Sequence, residues 1–398
     1  MVFGLSDVAY LSSEAGAADL QRASGYTFSA DTLVSDTAAL RDEFGGRAAA
    51  LAQTVQLRRK AAAKLGDVDR WLFTDDALQQ ATPAAVASHR AARLAGLVVH
   101  DVTCSVGSEL AALDGVAAMV IGSDIDPVRT AMARHNIGNR VLVCRADALA
   151  PASRAQVVIA DPGRRSGGRR RFDPSAYSPP LDAVLRTYDD RDLVVKCAPG
   201  LDFIDLREQT GFDGEVEVVS LDGGVREACL WSAGLADVRR RATVLVTSGV
   251  GYQLTDADPE DCAVAEAGEW IIDPDGAVVR AGLVRQYAAR HGLWQLDSRI
   301  AYLSGDSVPA GVQGYRVLDS LPYNEKRLRQ ALAARDCGSV EITVRGVDVD
   351  PAVLRTRLKL RGSVALSVVI TRIDSGAKAF VCAARSPGGT RTPSPRSA

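Results

Sequence analysis

The chain has 398 residues, of which 47% are hydrophobic and 24% are charged, and its formal net charge is −2. These values are typical of a globular protein of two or three domains and argue against a uniformly basic protein, although they leave local basic patches open. Seven scattered cysteines form no CxxC pair and no run approaches the ~20 apolar residues of a membrane helix, so we expect no metal, no membrane partner and a cytoplasmic location.

The first 95 residues are predicted to form a helical region. Apolar residues recur at helical spacing over 35–63 without a proline, and the Gly-Gly pair at 45–46 is expected to divide this stretch into two helices. Further on, Thr82 as N-cap and Pro83 at the first helical position predict a helix over 84–94.

From residue 97 the pattern changes to short β-rich runs that alternate with helices. Such alternation predicts an α/β fold with a doubly wound parallel sheet, here within residues 96–247. Helices are expected over 108–113 and over 128–136, the second opened by Asp126-Pro127. The predicted strands, in chain order, are 98–100, 117–122, 141–144, 157–160, 193–196, 216–219, 228–231 and 242–247, with 216–219 and 228–231 forming an antiparallel pair.

Residues 248–311 are predicted to be a linker or insertion, because their first part is acidic and rich in turn residues. Only a short strand from Trp270 and a helix over 281–291 are expected there. Residues 312–384 are predicted to form a small α+β module with strands at 315–318, 340–344, 365–370 and 379–383 and helices at 324–334 and 351–358. The tail, 385–398, has the composition of a disordered segment.

Four acidic residues stand at or just beyond four successive predicted strand ends, namely Asp101, Asp124, Asp147 and Asp161. In open α/β sheets, ligands bind beyond the carboxyl ends of the strands at the switch point of the topology. Asp124 follows Asp101 at a spacing close to the ~20 residues expected of an acid that accepts hydrogen bonds from ribose hydroxyls. The alternative is that these residues only cap loops, where Asp is common.

The loop after the first predicted strand, DVTCSVG, carries Thr103 and Ser105 at the first two positions of a G-x-G-x-x-G pattern and keeps only Gly107. Glu109 follows in the next helix and would repel a pyrophosphate. A Walker-type phosphate loop is absent as well. These features disfavour a nicotinamide-dependent dehydrogenase and favour a nucleoside ligand without phosphates.

Several motifs carry a family resemblance. The segments DVTCSVG, GSDIDP, RADAL and VVIADP together resemble the motif series of class I S-adenosylmethionine-dependent methyltransferases over about residues 97–245. The upstream WLFTDDALQQATP is similar to a segment of trimethylguanosine synthase-like enzymes. VEITVRGVDVDPAVLRTRLKLRG and SVALSVVITR resemble THUMP-like domains, which occur on RNA-modifying proteins. The chain is thereby identified as a member of the bacterial THUMP-like-domain methyltransferases.

This resemblance implies a seven-stranded Rossmann-like sheet, S-adenosylmethionine as cofactor and RNA as partner. It implies that the first loop cradles the amino-acid part of the cofactor, that Asp124 holds the ribose and that Asp147 faces the adenine. The predicted cofactor-binding residues are Asp101, Thr103, Ser105, Gly107, Asp124, Ile125, Asp147, Ala148 and Thr82. Asp161 and Pro162, the predicted catalytic residues, are expected beside the transferring methyl group, where Asp161 would orient the acceptor amine.

The loop after the fourth strand departs from the Asn/Asp-Pro-Pro-aromatic motif of enzymes that methylate base amino groups, because the sequence here is Asp-Pro-Gly-Arg-Arg. Arginines in this loop could stack on a base or bind phosphate, or they could form a solvated charge run. An aromatic ring could come instead from Phe172, Tyr177 or the N-terminal region, where the alternative is packing between helices. The predicted substrate-binding residues are Arg164, Arg165, Arg169, Arg170, Trp71 and Phe73.

We therefore expect an S-adenosylmethionine-dependent methyltransferase that acts on a base or nucleoside nitrogen of RNA. Two alternatives remain at this point: an RNA-binding protein with a degenerate, non-catalytic methyltransferase fold, and a methyltransferase with a small-molecule acceptor.

Overall fold

The computed structural model describes residues 3–164, 177–200, 202–247, 251–310 and 312–387. They fall into two units, one within Met1–Arg239 and Leu245–Gly251 and the other within Arg240–Val244 and Tyr252–Ala398. In these ranges, none of the helices combines the length and the apolar character that crossing a bilayer requires.

The first unit opens with six helices, and the first five share a buried apolar cluster with Val106 and Met132. The predicted break after residue 44 is present, since Gly45 adopts φ +54° between the third and fourth helices. Thr82 does not cap the sixth helix as predicted, because its hydroxyl accepts a hydrogen bond from Lys196 and Pro83 is the N-cap instead. The helices are α1 (Leu5–Leu11), α2 (Glu14–Ala23), α3 (Leu33–Phe44), α4 (Ala48–Leu65), α5 (Asp75–Gln80) and α6 (Ala84–Arg93).

The α/β part of the first unit follows. Its elements are β1 (Val98–Asp101), α7 (Ser108–Leu113), β2 (Met119–Asp124), α8 (Pro127–Ile137), β3 (Leu142–Arg145), β4 (Val157–Ala160), β5 (Gly163–Arg164), β6 (Tyr177–Ser178), α9 (Leu181–Thr187), β7 (Asp192–Cys197), α10 (Phe203–Thr210), β8 (Glu215–Leu221) and β9 (Gly224–Trp231).

Seven of these strands lie side by side in the order β8-β9-β7-β4-β1-β2-β3. The neighbours β7, β4, β1, β2 and β3 are parallel, and β9 runs antiparallel to β7 and to β8. The central strand β4 is buried along its whole length, as expected of a parallel strand covered on both faces. The predicted doubly wound α/β sheet is thus confirmed, and its switch point lies between β1 and β4, where ligands of such sheets bind.

The strands of the second unit, apart from its first two, form another sheet. The elements of this unit are β10 (Arg240–Leu245), β11 (Tyr252–Thr255), β12 (Trp270–Ile272), α11 (Gly276–Arg280), α12 (Val284–His291), β13 (Trp294–Gln295), β14 (Leu303–Gly305), β15 (Gln313–Pro322), α13 (Glu325–Ala333), β16 (Cys337–Arg345), α14 (Pro351–Leu358), β17 (Val364–Ile373), β18 (Gly376–Ala383) and β19 (Ser386–Pro387).

The main sheet of this unit has the strand order β13-β14-β12-β15-β18-β17-β16. All strands and helices predicted within 312–384 are present, and the Asp350 side chain caps α14 as Asp-Pro suggested. The stretch 248–311 was expected to be a linker or insertion, but it contributes β12, β13 and β14 to this sheet. β12 pairs with β14 and β15, and its residues Ile271 and Ile272 are fully buried. The tail expected to be disordered from residue 385 is corrected at its start, because Ser386–Pro387 form β19 and pair with β15; its remainder, from 388 onward, lies outside the described residues.

Candidate active site

A cavity of about 980 Å³ opens in the first unit at the carboxyl edge of the parallel strands. Five strand ends contribute to it, those of β1, β2, β3, β4 and β7, together with the segment that joins α5 to α6. The carboxyl ends of parallel strands meet at one edge of a sheet, so residues far apart in the chain converge here. The predicted residues that line the cavity are Thr82, Asp101, Thr103, Ser105, Asp124, Ile125, Asp147, Ala148, Asp161 and Pro162.

The loop after β1 is held by hydrogen bonds to two of the strand-end acids. Asp101 Oδ1 accepts from the backbone N–H of Thr103 at 3.0 Å, and Asp124 Oδ2 accepts from the N–H of Ser105 at 2.9 Å. Ser105 adopts φ +50°, a left-handed conformation that glycine takes more easily. Gly107, with φ +93°, lies behind the loop and does not line the cavity; a Cβ there would stand 3.0 Å from Ile137 Cγ1. Glycine is therefore favoured here both by the left-handed backbone and by the close packing of Ile137.

Asp124 is buried, and both of its carboxylate oxygens are engaged, since Oδ1 accepts from the N–H of Asp126 at 2.8 Å. Ile125 beside it is exposed and presents its side chain to the cavity. Asp147, at the end of the loop after β3, is also exposed, and its Oδ1 accepts from the N–H of Leu149 at 2.9 Å. This end of the cavity can therefore accept hydrogen bonds from hydroxyl and amino groups.

At the opposite end, Asp161 is joined to a lysine that the sequence analysis missed. Lys196, near the end of β7, forms an ion pair with Asp161 Oδ2 and donates to Thr82 Oγ1 at 2.6 Å. Burial alone would lower the pKa of Lys196, but the attraction of Asp161 raises it above its ordinary value. The N–H of Asp161 also donates to Thr103 Oγ1 at 2.6 Å, so β1, β4 and β7 are connected through this residue.

The floor of the cavity contains a buried charge network that was not predicted either. Arg90 of α6 is 1% exposed and hydrogen-bonds Glu109 Oε1 with one terminal nitrogen and Glu227 Oε1 with the other. Glu109 Oε2 is buried without a hydrogen-bond partner in the described part of the chain. Burial and the nearby charge of Glu109 raise the pKa of Asp101 to about 7. This floor carries more acids than its cations balance, which favours a positively charged ligand.

The two aromatic residues that were predicted to bind the substrate, Trp71 and Phe73, do not line the cavity. Phe73 is 1% exposed and stacks on Trp71 with 5.8 Å between ring centroids, inside the apolar cluster of the helical region. Neither residue lines the cavity, so packing between helices accounts for both and corrects their assignment to the substrate. Among the residues that the structure describes, the aromatic ring that lines the cavity is that of Tyr177, in β6, which pairs with β5 directly after Pro162.

The arginine-rich loop lies almost entirely outside the described residues. Arg164 belongs to β5, but its side chain lies outside the description, as do Arg165, Arg169, Arg170 and Phe172 altogether. Their role in substrate binding stays a prediction.

Comparisons with known proteins agree with this architecture. The model of the THUMP domain-like family matches residues 312–384. Two sequences of Mycobacterium tuberculosis, from strains CDC 1551 and H37Rv, are each described as an uncharacterized S-adenosylmethionine-dependent methyltransferase. Both are 59% identical to this chain over 355 residues, which is 86% of this chain and 98% of the relative. A crystal structure from Porphyromonas gingivalis W83, provisionally named a methyltransferase, superposes with a TM-score of 0.71 at 18% identity and covers 96% of this chain and 99% of its own. At that identity the likeness shows a shared fold.

Proposed function

The chain belongs to the family of S-adenosylmethionine-dependent methyltransferases represented by its Mycobacterium tuberculosis relatives, and we propose that it transfers the methyl group to a nitrogen atom of RNA. It is an enzyme whose cofactor is S-adenosylmethionine. RNA as the acceptor is supported by the THUMP-like domain at 312–384, because THUMP-like domains occur on RNA-modifying proteins. The observation that carries the methyl-transfer site is the ion pair of Asp161 with Lys196 at the end of the cavity.

We assign the adenosine part of the cofactor to the end of the cavity formed by Asp124 and Asp147. Each oxygen of the Asp124 carboxylate accepts one backbone N–H, and each keeps a second lone pair for a ribose hydroxyl. Asp147 Oδ1 accepts from Leu149, which leaves Oδ2 for the adenine amino group. Ala148 and the exposed Ile125 supply apolar surface beside them.

The charge of the cavity floor fits the rest of this cofactor. S-adenosylmethionine carries a sulfonium and an α-ammonium group, and both are cations. The unpartnered Glu109 Oε2 and the carboxyl of Asp101 lie in the wall next to the loop that the family resemblance assigns to the amino-acid part. A buried carboxylate oxygen without a partner is costly, and an ammonium donor would relieve that cost.

Asp161 is our candidate for orienting the acceptor. Lys196 engages its Oδ2, whereas Oδ1 has no hydrogen-bond partner among the residues described. This free oxygen can accept a hydrogen from the acceptor amine and thereby direct the nitrogen lone pair. The cofactor supplies the activated methyl group; the protein contributes position and alignment, which are the main requirements of a direct displacement.

The test is transfer of labelled methyl groups from S-adenosylmethionine to total RNA taken from a strain that lacks this gene. We expect label in RNA with the wild-type protein and at least about 100-fold less with Asp161→Ala. Asp182→Ala, which removes a half-buried acid outside the cavity, is the matched control and should label RNA normally. An absence of label, with calorimetry still detecting cofactor binding, would exclude RNA and leave a protein or a small molecule as acceptor.

A further inference from the structure

Four basic side chains line the described wall of the cavity, and they differ in their partners. Arg129 pairs with Asp76 at 2.5 Å, and Lys196 pairs with Asp161. Lys64 and Arg226 line the same cavity, but within the described residues neither of them has a carboxylate partner. The described wall of this cavity therefore holds two cations without an ion pair, although hydrogen bonds from Thr247 and, after them, the charge of Arg226 lower the pKa of Asp222.

Lys64 is fixed in place by backbone carbonyls. Its Nζ donates to Leu78 O at 3.0 Å and to Gln79 O at 2.9 Å, at the end of α5. An ammonium group has three hydrogens, so one remains for a ligand. Lys64, Lys196 and Arg226 line the same cavity, and burial together with the like charges of the other two lowers the pKa of Lys64.

Arg226 reaches the same region from β9. Because Ala228 pairs with Cys197 across the antiparallel strands, Arg226 lies just beyond the carboxyl end of β7, near Lys196. Its guanidinium makes one hydrogen bond, from Nη2 to Leu221 O at 3.3 Å, and its other N–H groups have no partner among the described residues. Arg226 is exposed and Lys64 is half-buried, so both side chains of the cavity wall are accessible to a ligand.

We propose that Lys64 and Arg226 together bind a phosphate group of the acceptor, next to the nucleotide that receives the methyl group. This inference rests on the proposed RNA acceptor and gives it a specific contact. A guanidinium and an ammonium can share one phosphate through charge-assisted hydrogen bonds, and the bound anion compensates their mutual repulsion. A phosphate contact fixes the register of the RNA without reading its sequence. The carboxylate of the cofactor is the other anion that could reach this pair, and the experiment separates the two.

The experiment measures binding of a fluorescein-labelled, single-stranded RNA pool of random sequence by anisotropy, with the protein saturated with S-adenosylhomocysteine. Lys64→Gln and Arg226→Gln should each weaken binding about tenfold at low salt. Their double variant should reduce the slope of log affinity against log salt by about 0.7, the value for one phosphate of a single strand. Lys60→Gln is the matched control: Lys60 is on α4, one turn before Lys64, is exposed and lies outside the cavity.

The outcomes are distinct. Weaker, less salt-dependent RNA binding by the two variants, with Lys60→Gln like wild type and unchanged affinity for S-adenosylhomocysteine by calorimetry, supports the phosphate site. If Lys64→Gln or Arg226→Gln loses affinity for S-adenosylhomocysteine, the anion is the cofactor's carboxylate and the inference is overturned. If both variants bind the RNA pool as tightly as the wild-type protein does, the phosphate site is overturned and the RNA acceptor is not. A wild-type protein that does not bind the pool overturns the RNA acceptor and the site together.

Discussion

Replacement of Arg90 by methionine should destabilise the protein by about 3–5 kcal/mol, the cost typical of a buried ion pair that loses one partner. The guanidinium of Arg90 bridges Glu109 and Glu227, and all three side chains are buried. Methionine preserves most of the aliphatic volume, so the loss should come from two carboxylates left without their cation and not from a void. The same change should release Glu109, which lines the cavity.

The assay is equilibrium urea unfolding of wild type and variants followed by circular dichroism. The triple variant Arg90→Met, Glu109→Gln, Glu227→Gln should recover much of the loss, because no uncompensated charge then remains. Arg186→Met, which breaks an exposed i,i+4 pair with Asp182, should change the unfolding free energy by less than about 0.5 kcal/mol.

A loss below about 1 kcal/mol for Arg90→Met would refute the reasoning, since the carboxylates would then have found water or other partners. If Arg90→Met does not fold, the triple variant still decides: folding of the triple variant supports the charge argument, and its failure to fold refutes it.

Four further results are expected. Asp124→Ala should weaken S-adenosylhomocysteine binding in calorimetry by about 1.5–3 kcal/mol, and unchanged affinity would contradict the ribose assignment. Lys196→Met should slow methyl transfer about 100-fold by releasing Asp161, with cofactor affinity retained; an unchanged rate would exclude a positioning role. Burial, aided by nearby positive charge, lowers the pKa of His100 to about 4 in the folded protein. The unfolded chain therefore takes up this proton first, and stability should fall by up to about 3 kcal/mol as pH drops from 6.5 to 4; His100→Gln should flatten that dependence in urea unfolding, and an equal slope would contradict the assignment. Ser105→Gly should raise the unfolding free energy by about 0.5 kcal/mol, because glycine adopts a positive φ without strain; a decrease would show that the serine side chain stabilises the loop.

Local sequence patterns were sufficient for much of the α/β unit. The strand expected at 157–160 and the helix expected at 108–113 have the predicted bounds, because a short buried apolar run and a small-residue turn are strong local signals. The convergence of Asp101, Asp124 and Asp161 also followed from sequence, since it needs only the rule that parallel strands end at one edge.

Other features depend on contacts between distant residues and leave no local signal. Lys196 has the appearance of an ordinary polar end to a strand, yet its partners Asp161 and Thr82 are 35 and 114 positions away. The same contact explains why Thr82 is not a helix cap. A charged residue at the end of a buried strand is the one clue that could have found Lys196.

Arg90 was missed for a related reason. On an amphipathic helix, an arginine is expected on the face that contacts solvent. It is buried here because Glu109, from α7, and Glu227, from β9, meet it in the interior. Neither partner can be identified from the spacing of residues along the chain.

The left-handed turn at Ser105 bears on which search patterns recognise a nucleotide-binding loop of this kind. Glycines in this loop are usually regarded as the signature of the nucleotide site, yet here the same backbone angle is held by a hydrogen bond from Ser105 N–H to Asp124. The carboxylate that we assign to the ribose thus also shapes the loop beside it. A search pattern written in dihedral angles and hydrogen bonds would recognise this loop, whereas one that requires glycine at position 105 would reject it.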